Sequence, residues 1–192
     1  KITLHISKDV RKISDIEQIG YVRAIKVDKD NEMLSAEDGV LYNKNRTMIY
    51  RYPVYKTNGR FYAETKLEAV GDKAFYGCDI EVAELYNGVK TIGNMAFYEC
   101  ANLEQIELPD SLVKLGNKAF YGCEELSSVA LSDEVTVIPY SAFSGCENLE
   151  EFICSESLTT ICSKAFYGCE NLKTFTLPKT LKKIIYDSFE GS

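Results

Sequence analysis

The chain lacks the features that nucleic-acid binding and membrane insertion require. Its 192 residues include 22 Lys and Arg against 29 Asp and Glu, a net charge of −7, and the basic residues form no cluster. Proteins that hold nucleic acid regardless of sequence need clustered cations, which displace counterions from the phosphates. No stretch approaches the roughly 18 consecutive apolar residues that indicate a membrane helix. We therefore expect no nucleic-acid partner and no membrane insertion.

Histidine is nearly absent, because His5 is the only one in the chain. The cysteines include no Cys-x-x-Cys pair, which is the spacing that most often indicates a zinc site. A Cys–His or Ser–His–Asp constellation would have to use His5, and the sequence has no nucleophile elbow. We expect no metal, no cofactor and no catalysis, and we predict that His5 faces solvent from a strand.

The chain is instead rich in one five-residue motif, AFYGC. Copies of the motif, some with small changes, begin at Ala74, Ala96, Ala119, Ala142, Ala165 and, in degenerate form, Ser188. The steps between them are 22, 23, 23, 23 and 23 residues. Periods in the low twenties are typical of leucine-rich solenoids. The hydrophobic share of 45% is sufficient for a real core.

One full unit, Asn102–Cys123, indicates how each repeat folds. Ile106, Glu107 and Leu108 alternate between apolar and polar, as in a short strand with one buried face. Pro109 follows where the chain must turn, and the compact KAFYGC segment favours a turn of 3₁₀- or α-helix. Stacked coils bury apolar residues that one coil cannot bury alone. We predict a right-handed α/β solenoid with a parallel sheet on one face and short helical turns on the other.

The solenoid is predicted to fill residues 1–192 as one domain with one interruption. Eight strand starts can be counted, and an insertion at about 33–53 separates the second from the third. Within it, Val40–Tyr42 and Met48–Tyr50 flank NKNRT, a pattern that predicts a β-hairpin. The last coil has no polar cap and the chain does not begin with Met. We therefore expect a fragment of a longer repeat protein, flanked by further repeats or domains.

The repeat resembles a known family at this level of detail. The pattern LPxSLxxIGxxAFxGCxNL fits each unit at several positions, as in LPDSLVKLGNKAFYGC at 108–123. It resembles the BspA-like leucine-rich repeats of bacterial surface proteins, and the hairpin segment is similar to one that interrupts those arrays. The resemblance covers about residues 20–192. It implies a secreted or cell-surface protein that binds a protein or glycoprotein ligand on host or neighbouring cells.

Five of the seven cysteines share one position of the repeat, namely Cys78, Cys100, Cys123, Cys146 and Cys169. We interpret them as small buried apolar side chains that form a ladder along the solenoid. Disulfides between coils are an alternative, because stacking could bring their Cα atoms within the permitted range. Five cysteines in a row cannot all pair, however. A reactive cysteine would need a depressed pKa and a partner base, and no base is near in sequence.

The sheet face is the first candidate for ligand binding, because solenoids bind through the broad face of their sheet. Its predicted outward positions are Tyr62, Glu84, Glu107, Ile153 and Thr176, together with His5, Lys26 and Ala130. Tyr62 and Ile153 would anchor a partner through apolar contact. Glu84 and Glu107 would select a partner with a basic patch. The alternative is that these side chains are ordinary solvated surface.

The hairpin is the second candidate, since Tyr42 and Tyr50 lie in it. Projecting tyrosine-rich segments suit contacts with proteins and glycans, although these tyrosines could instead cover the side of the solenoid. Two other functions stay open. The chain could be a structural spacer in a larger surface protein. Alternatively, Glu84 and Glu107 could act as the neighbouring carboxylates of a retaining glycosidase.

Overall fold

The computed structural model describes residues 1–14, 19, 21–56 and 59–192. In this part of the chain the fold is a stack of coils made of short strands and turns, with two parallel sheets and one antiparallel insertion. The strands are β1 Thr3–Ile6, β2 Ala24–Val27, β3 Leu34–Glu37, β4 Val40–Asn43, β5 Met48–Arg51, β6 Arg60–Tyr62, β7 Ala69–Val70, β8 Val82–Glu84, β9 Thr91–Ile92, β10 Gln105–Glu107, β11 Lys114–Leu115, β12 Ser128–Ala130, β13 Val137–Ile138, β14 Glu151–Ile153, β15 Thr160–Ile161 and β16 Lys183–Ile184.

The first sheet contains the strands that the sequence predicts. β6, β8 and β10 pair in parallel with Phe61, Ala83 and Ile106 in register, and all three side chains are buried. β12 and β14 pair in the same way, and an isolated bridge joins Glu151 to Thr174 of the last coil. The predicted alternation of buried and outward side chains is confirmed. The described ladder has three sections, which are β1–β2, β6–β8–β10 and β12–β14.

A second parallel sheet runs along another side of the coils and was not predicted. It is built from two-residue strands in two sections, β7–β9–β11 and β13–β15–β16, with Val70, Ile92 and Leu115 in register in the first. These inner residues are buried. Two residues are too few to show the alternation that identifies a strand, so the sequence indicated only a bend at this position.

The prediction of helical turns is wrong for the AFYGC motifs, and the fold is a β-solenoid rather than α/β. Alternate N–H groups of the motif donate to the following coil, and those between them close single turns within the motif, as Cys100 N does to Phe97 O at 3.2 Å. Phe97 N donates to Ala119 O at 2.7 Å, and Glu99 N donates to Tyr121 O at 2.7 Å. The residue before the Ala-Phe pair also has a left-handed backbone, with φ of 55° at Lys118. That conformation is incompatible with a continuing right-handed helix.

The predicted hairpin forms, but as part of a three-stranded antiparallel meander. β4 pairs with β5 across the NKNRT turn, as predicted, and β3 pairs with β4. Asp38 and Gly39 connect β3 to β4 with φ values of 47° and 78°. Positive φ at both positions is the geometry of a two-residue type I′ turn. β5 then pairs in parallel with β7, which joins the meander to the second sheet.

The meander lies between two hydrophobic cores, because the side chains of β4 alternate between them. Leu41 packs with Ile6 and Ile25 in a small N-terminal core. Val40 and Tyr42 pack into the main core, which continues along the array. The insertion therefore does not project from the solenoid as a free hairpin. It is packed between the N-terminal coils and the main array.

An aromatic stack runs through the main core. The ring of each motif phenylalanine stacks on the next, with centroids 4.6 to 5.6 Å apart and planes within 7° to 9°, in the order Phe75, Phe97, Phe120, Phe143, Phe166 and Phe189. Tyr52 of the meander extends the stack, 5.1 Å from Phe75. Each fully buried ring contributes roughly 1.5–3 kcal/mol, and neighbouring coils must cover both of its faces.

The motif cysteines are buried beside this stack, which confirms their interpretation as core residues. All seven cysteines are free thiols, so no disulfide joins the coils. Burial raises the pKa of Cys78 to about 12 and raises the pKa of Cys100 and Cys123 well above the ordinary thiol value. A thiol that stays protonated is a poor nucleophile. These cysteines are therefore structural.

Candidate binding surface

The face of the first sheet presents the predicted row of side chains. Tyr62, Glu107, Ile153 and Thr176 are exposed, and Glu84 is half-buried. Tyr62 is 51% exposed and Ile153 is 54% exposed. Between the outward residues of each strand lies a buried one, such as Phe61 or Phe152, that packs into the main core. The core therefore fixes the strands on which the outward side chains are displayed.

Glu84 and Glu107 lie side by side, because β8 and β10 pair with these two residues in register. Adjacent strands are about 4.8 Å apart, so the carboxylates create a local concentration of negative charge. Arg60, which we had not singled out in the sequence, lies on the neighbouring strand. Its hydrogen bond with Tyr62, together with the charges of Glu81 and Glu84, raises the pKa of the Arg60 guanidinium. The face thus combines an Arg–Tyr pair with an acidic pair.

The acidic pair is poorly arranged for glycoside hydrolysis. Glu107 is exposed and Glu84 is half-buried on the open face of a sheet. A glycosidase needs one carboxyl that a desolvating environment keeps protonated beside an ionised partner. Two adjacent carboxylates on an open face are better suited to attract a cationic group of a partner.

Ile153 and Thr176 line the same cleft, which lies at the end of this face and has a volume of about 490 Å³. Ligand pockets typically occupy about 300–1,000 Å³. The walls also contain Glu151, Glu156, Leu177 and Lys179. The structure therefore brings two of the predicted residues together. The sequence placed Ile153 and Thr176 on one face but did not reveal a cleft between their strands.

Tyr42 is not available as an exposed contact, contrary to the prediction. Only 5% of the side chain is exposed, because it points from β4 into the main core. Burial is also the main reason why the pKa of the Tyr42 hydroxyl is raised, and the nearby carboxylate of Glu64 adds to the effect. Its burial follows from the position of the meander between the two cores, which periodicity alone does not reveal.

Tyr50 is half-buried and lines a groove of about 420 Å³ on the second sheet, together with Met48 and Lys114. Glycines contribute to this groove because neighbouring coils approach too closely for any side chain. A Cβ added at Gly93 would lie 2.4 Å from Asp72 Oδ1. The recurring glycine was visible in the sequence, but the groove was not. Tyr50 therefore belongs to a different surface from Tyr62 and the acidic pair.

The described part of the chain offers no metal site, since no group of three or more His, Cys, Asp or Glu side chains is arranged to hold an ion. His5 is exposed on β1 and pairs in register with Lys26, as the strand pattern predicts. Within the same residues, no helix has the length and apolar character needed to cross a bilayer.

Several solved bacterial structures share this fold. A leucine-rich repeat protein from Eubacterium ventriosum ATCC 27560 aligns with a TM-score of 0.85 and 28% identity, over 98% of this chain and 58% of that one. A leucine rich cell surface protein from Faecalibacterium prausnitzii A2-165 aligns with a TM-score of 0.66 and 26% identity, over 98% and 45%. The leucine-rich repeat protein of T. pallidum aligns at 0.66 and 27%, over 76% and 77%. The present chain thus spans about half the length of the first two.

The search of curated proteins finds no match. The model of the BspA type leucine rich repeat region matches residues 68–192 in six copies. This match covers the coils that carry the stacked phenylalanines and the buried cysteines. The chain therefore belongs to the BspA-type leucine-rich repeat family.

Proposed function

We propose that this chain is a non-catalytic binding module of a secreted or cell-surface protein. Its partners would be proteins or glycoproteins of a host or of neighbouring cells. Membership of the family supports a binding or structural repeat module. The likeness to a leucine rich cell surface protein of Faecalibacterium prausnitzii supports the location. Binding through the sheet face is the usual mode of solenoids.

The observation that carries this proposal is the composition of the sheet face. Tyr62 and Ile153 are each about half exposed on one face, with the carboxylates of Glu84 and Glu107 in register between them. Large apolar side chains dominate the energy of protein interfaces when a partner covers them. The carboxylates would steer a partner that carries a basic patch and would set its orientation.

The test is binding of the purified chain to a panel of matrix proteins, plasma proteins and mucin glycans. Tyr62→Ala should weaken binding by roughly tenfold or more if Tyr62 is a central contact. The double variant Glu84→Lys with Glu107→Lys should mainly slow association, most clearly at low salt. Saturable binding that both variants leave unchanged would rule out the sheet face as the site.

Matched controls separate these effects from loss of a tyrosine or change of charge. Tyr186→Ala removes a tyrosine that is 96% exposed on the last coil. Glu68→Lys with Glu134→Lys makes the same charge change at two exposed positions outside the row. Neither control should alter binding. Tyr50→Ala tests the groove of the second sheet, because deletion of the meander would remove part of the main core.

A structural spacer is the second candidate, favoured by the continuous aromatic stack from Tyr52 to Phe189. A column whose every coil is covered by its neighbours is suited to hold another domain at a fixed distance. A spacer would show no saturable ligand and would tolerate charge reversal on the sheet face. Catalysis by the acidic pair is testable as well, since Glu107→Gln should abolish any glycan hydrolysis.

A further inference from the structure

At the end of the sheet face, β14 and residues 174–176 of the next coil diverge around a cleft. In three earlier pairs of coils, the residue after one strand donates its N–H to a carbonyl of the next coil, with N–O distances of 2.9, 3.1 and 3.0 Å for Ala63–Glu84, Leu85–Glu107 and Leu131–Ile153. Among the described residues Leu108 and Ala130 lack this bond, and β10 and β12 are not paired. At the end of the face the corresponding pair is Cys154 and Thr176. Within the described residues no hydrogen bond joins them, and only the bridge between Glu151 and Thr174 remains. The cleft therefore contains an unpaired donor and an unpaired acceptor of the main chain.

The cleft is bounded on two sides by contacts that join the two coils. Phe152 and Phe175, which lie beneath it, stack with their ring centroids 5.4 Å apart. Beyond the strands, the Thr180 hydroxyl shares its single hydrogen between Glu156 O at 2.7 Å and Leu158 O at 2.8 Å. The two coils are therefore joined below the cleft and after it. The divergence is confined to the segment between these contacts.

The walls of the cleft are apolar and carry an excess of negative charge. Ile153 is 54% exposed and Leu177 is 47% exposed, so both present apolar surface to an occupant. Glu151 and Glu156 contribute two carboxylates, against the single ammonium group of Lys179. In the described part of the chain neither carboxylate forms an ion pair. An occupant should therefore combine apolar side chains with positive charge.

We propose that this cleft binds an extended basic segment of a partner protein, which pairs its main chain with Cys154 and Thr176. The inference rests on the proposed function and names the class of partner that this end of the sheet face accepts. The Cys154 N–H would donate to a carbonyl of the segment, and the Thr176 carbonyl would accept from one of its N–H groups. Addition of a strand to unpaired sheet groups is a common mode of peptide recognition.

An extended polypeptide fits these groups better than a glycan does. Its main chain supplies donors and acceptors that match those of the cleft, and its side chains can supply both apolar and basic groups. Apolar side chains would contact Ile153 and Leu177, and lysines would approach Glu151 and Glu156. A second coil stacked on the outer side of the last one would leave the cleft open, because the cleft lies between two coils of this chain.

The experiment measures fluorescence anisotropy with labelled synthetic peptides of about seven residues, the ordinary length of a strand. The first peptide alternates lysine with valine, and the second has glutamate in place of lysine. The third repeats the first with N-methylated main-chain amides, so it keeps the charge and loses the donors. The proteins are the unmodified chain, the variant Glu151→Lys with Glu156→Lys, and the control Glu68→Lys with Glu134→Lys.

We expect the lysine peptide to bind roughly 2- to 30-fold more tightly than the glutamate peptide, because exposed ion pairs are individually weak. N-methylation should weaken the lysine peptide by about fivefold or more, since the Thr176 carbonyl would lose its donor. The variant Glu151→Lys with Glu156→Lys should prefer the glutamate peptide, and the control should behave like the unmodified chain. This pattern supports the proposal.

Three results would overturn it: no saturable binding up to about 1 mM peptide, binding that survives N-methylation, or a preference that reversal at Glu151 and Glu156 leaves unchanged. The outcome is separate from that of the proposed function. Binding of a panel protein that is weakened in Tyr62→Ala would support a sheet-face binding module even if no peptide bound. Peptide binding without any panel partner would support the cleft alone.

Discussion

The thiol of Cys123 donates a hydrogen bond to the carbonyl oxygen of Phe97 in the preceding coil, with 3.1 Å between Sγ and O. The same bond recurs in the coils of Cys78, Cys100, Cys146 and Cys169. In the last coil Ser192 takes this place, and its Oγ lies 2.6 Å from Phe166 O. The cysteine that ends each motif is thus a buried donor as well as a small core residue.

Replacement of Cys123 should show how much this hydrogen bond contributes to the free energy of unfolding. Cys123→Ala removes the donor and leaves a small cavity, and we expect a loss of about 1–3 kcal/mol in the free energy of unfolding. Cys123→Ser keeps a donor, as Ser192 does naturally, and should cost less than Cys123→Ala. Urea unfolding followed by circular dichroism measures both. A serine variant no more stable than the alanine variant would show that the hydrogen bond contributes little.

Stability should fall at alkaline pH because the buried thiols cannot ionise in the folded state. Burial raises the pKa of Cys100, Cys123 and Cys146 well above the ordinary 9.0, and the pKa of Cys78 to about 12. Below pH 9 both states keep these thiols protonated, so this contribution is fully present. Above pH 9 the unfolded chain releases thiol protons that the folded chain retains. Each thiol then lowers the free energy of unfolding by about 1.4 kcal/mol per pH unit.

The measurement is urea unfolding at several pH values from 8 to about 10 with a reductant present, so that all thiols stay reduced. Loss of stability should continue as pH rises towards the folded-state pKa of Cys78, about 12. Cys123→Ser removes one titrating thiol and should give a shallower slope. A slope that is the same in this variant would contradict the assignment of the pH dependence to the buried thiols.

The features that the sequence predicted are those that repeat. The alternation at Ile106 and Glu107 repeats coil after coil, so it fixed both the strands and the outward row that contains Tyr62 and Ile153. The position of the motif cysteines repeats as well, and it predicted their burial. The same local packing determines the burial of each such position in every unit. The repeat in the sequence was therefore sufficient to predict it.

Two of the missed features depend on contacts that do not repeat, and the third consists of strands too short to show a pattern. Tyr42 is buried because the meander separates two cores, a relationship between segments that no single unit contains. The second sheet pairs only two residues of each strand, such as Val70 with Ile92, and its pattern resembles a bend. The cleft near Thr176 arises where the pairing of the last described coil fails. Long-range packing decides the burial of Tyr42 and the cleft.

Glu99 occupies a position where the other motifs have glycine, and replacing Glu99 with glycine should stabilise the folded protein. Its backbone is left-handed with φ of 54°, close to the 69° of Gly122 in the next coil. A side chain in this region costs roughly 1–2 kcal/mol, whereas glycine adopts it freely. Glu99→Gly should therefore raise the free energy of unfolding by about 1 kcal/mol. Thermal and urea unfolding both report the change.

The matched control for this prediction is Gly122→Ala, which adds a side chain at the equivalent position. The nearest atom to the added Cβ would be Glu99 Cγ at 3.5 Å, so strain in the backbone rather than a clash decides the result. We expect a loss of about 1 kcal/mol. If Glu99→Gly destabilises the protein as Gly122→Ala does, backbone strain at this position is not the controlling factor.

Arg51 should be among the most important residues for stability, although it is charged. It is fully buried, and its guanidinium donates to Lys73 O at 2.9 Å, Ala74 O at 3.3 Å and Tyr76 O at 2.8 Å. In later coils the N–H groups of the preceding turn occupy carbonyls of this kind, as Phe75 N does for Ala96 O. Tyr52 N keeps this pattern for Ala74 O. At Tyr76 O no main-chain N–H of the described residues donates, and Arg51 supplies the donor there.

Arg51→Leu should therefore cost about 3 kcal/mol or more, because it removes three hydrogen bonds from a charged donor and, within the described residues, leaves Tyr76 O with only the weak Cys78 thiol donor at 3.9 Å. Arg51→Lys keeps the charge but offers a compact ammonium group in place of a planar fork, and it should recover only part of the loss. Arg60→Ala, at an exposed arginine of the sheet face, should change stability by less than about 0.5 kcal/mol. Urea unfolding of the three variants compares them directly. Full stability in Arg51→Leu would mean that the buried guanidinium does not stabilise the start of the array.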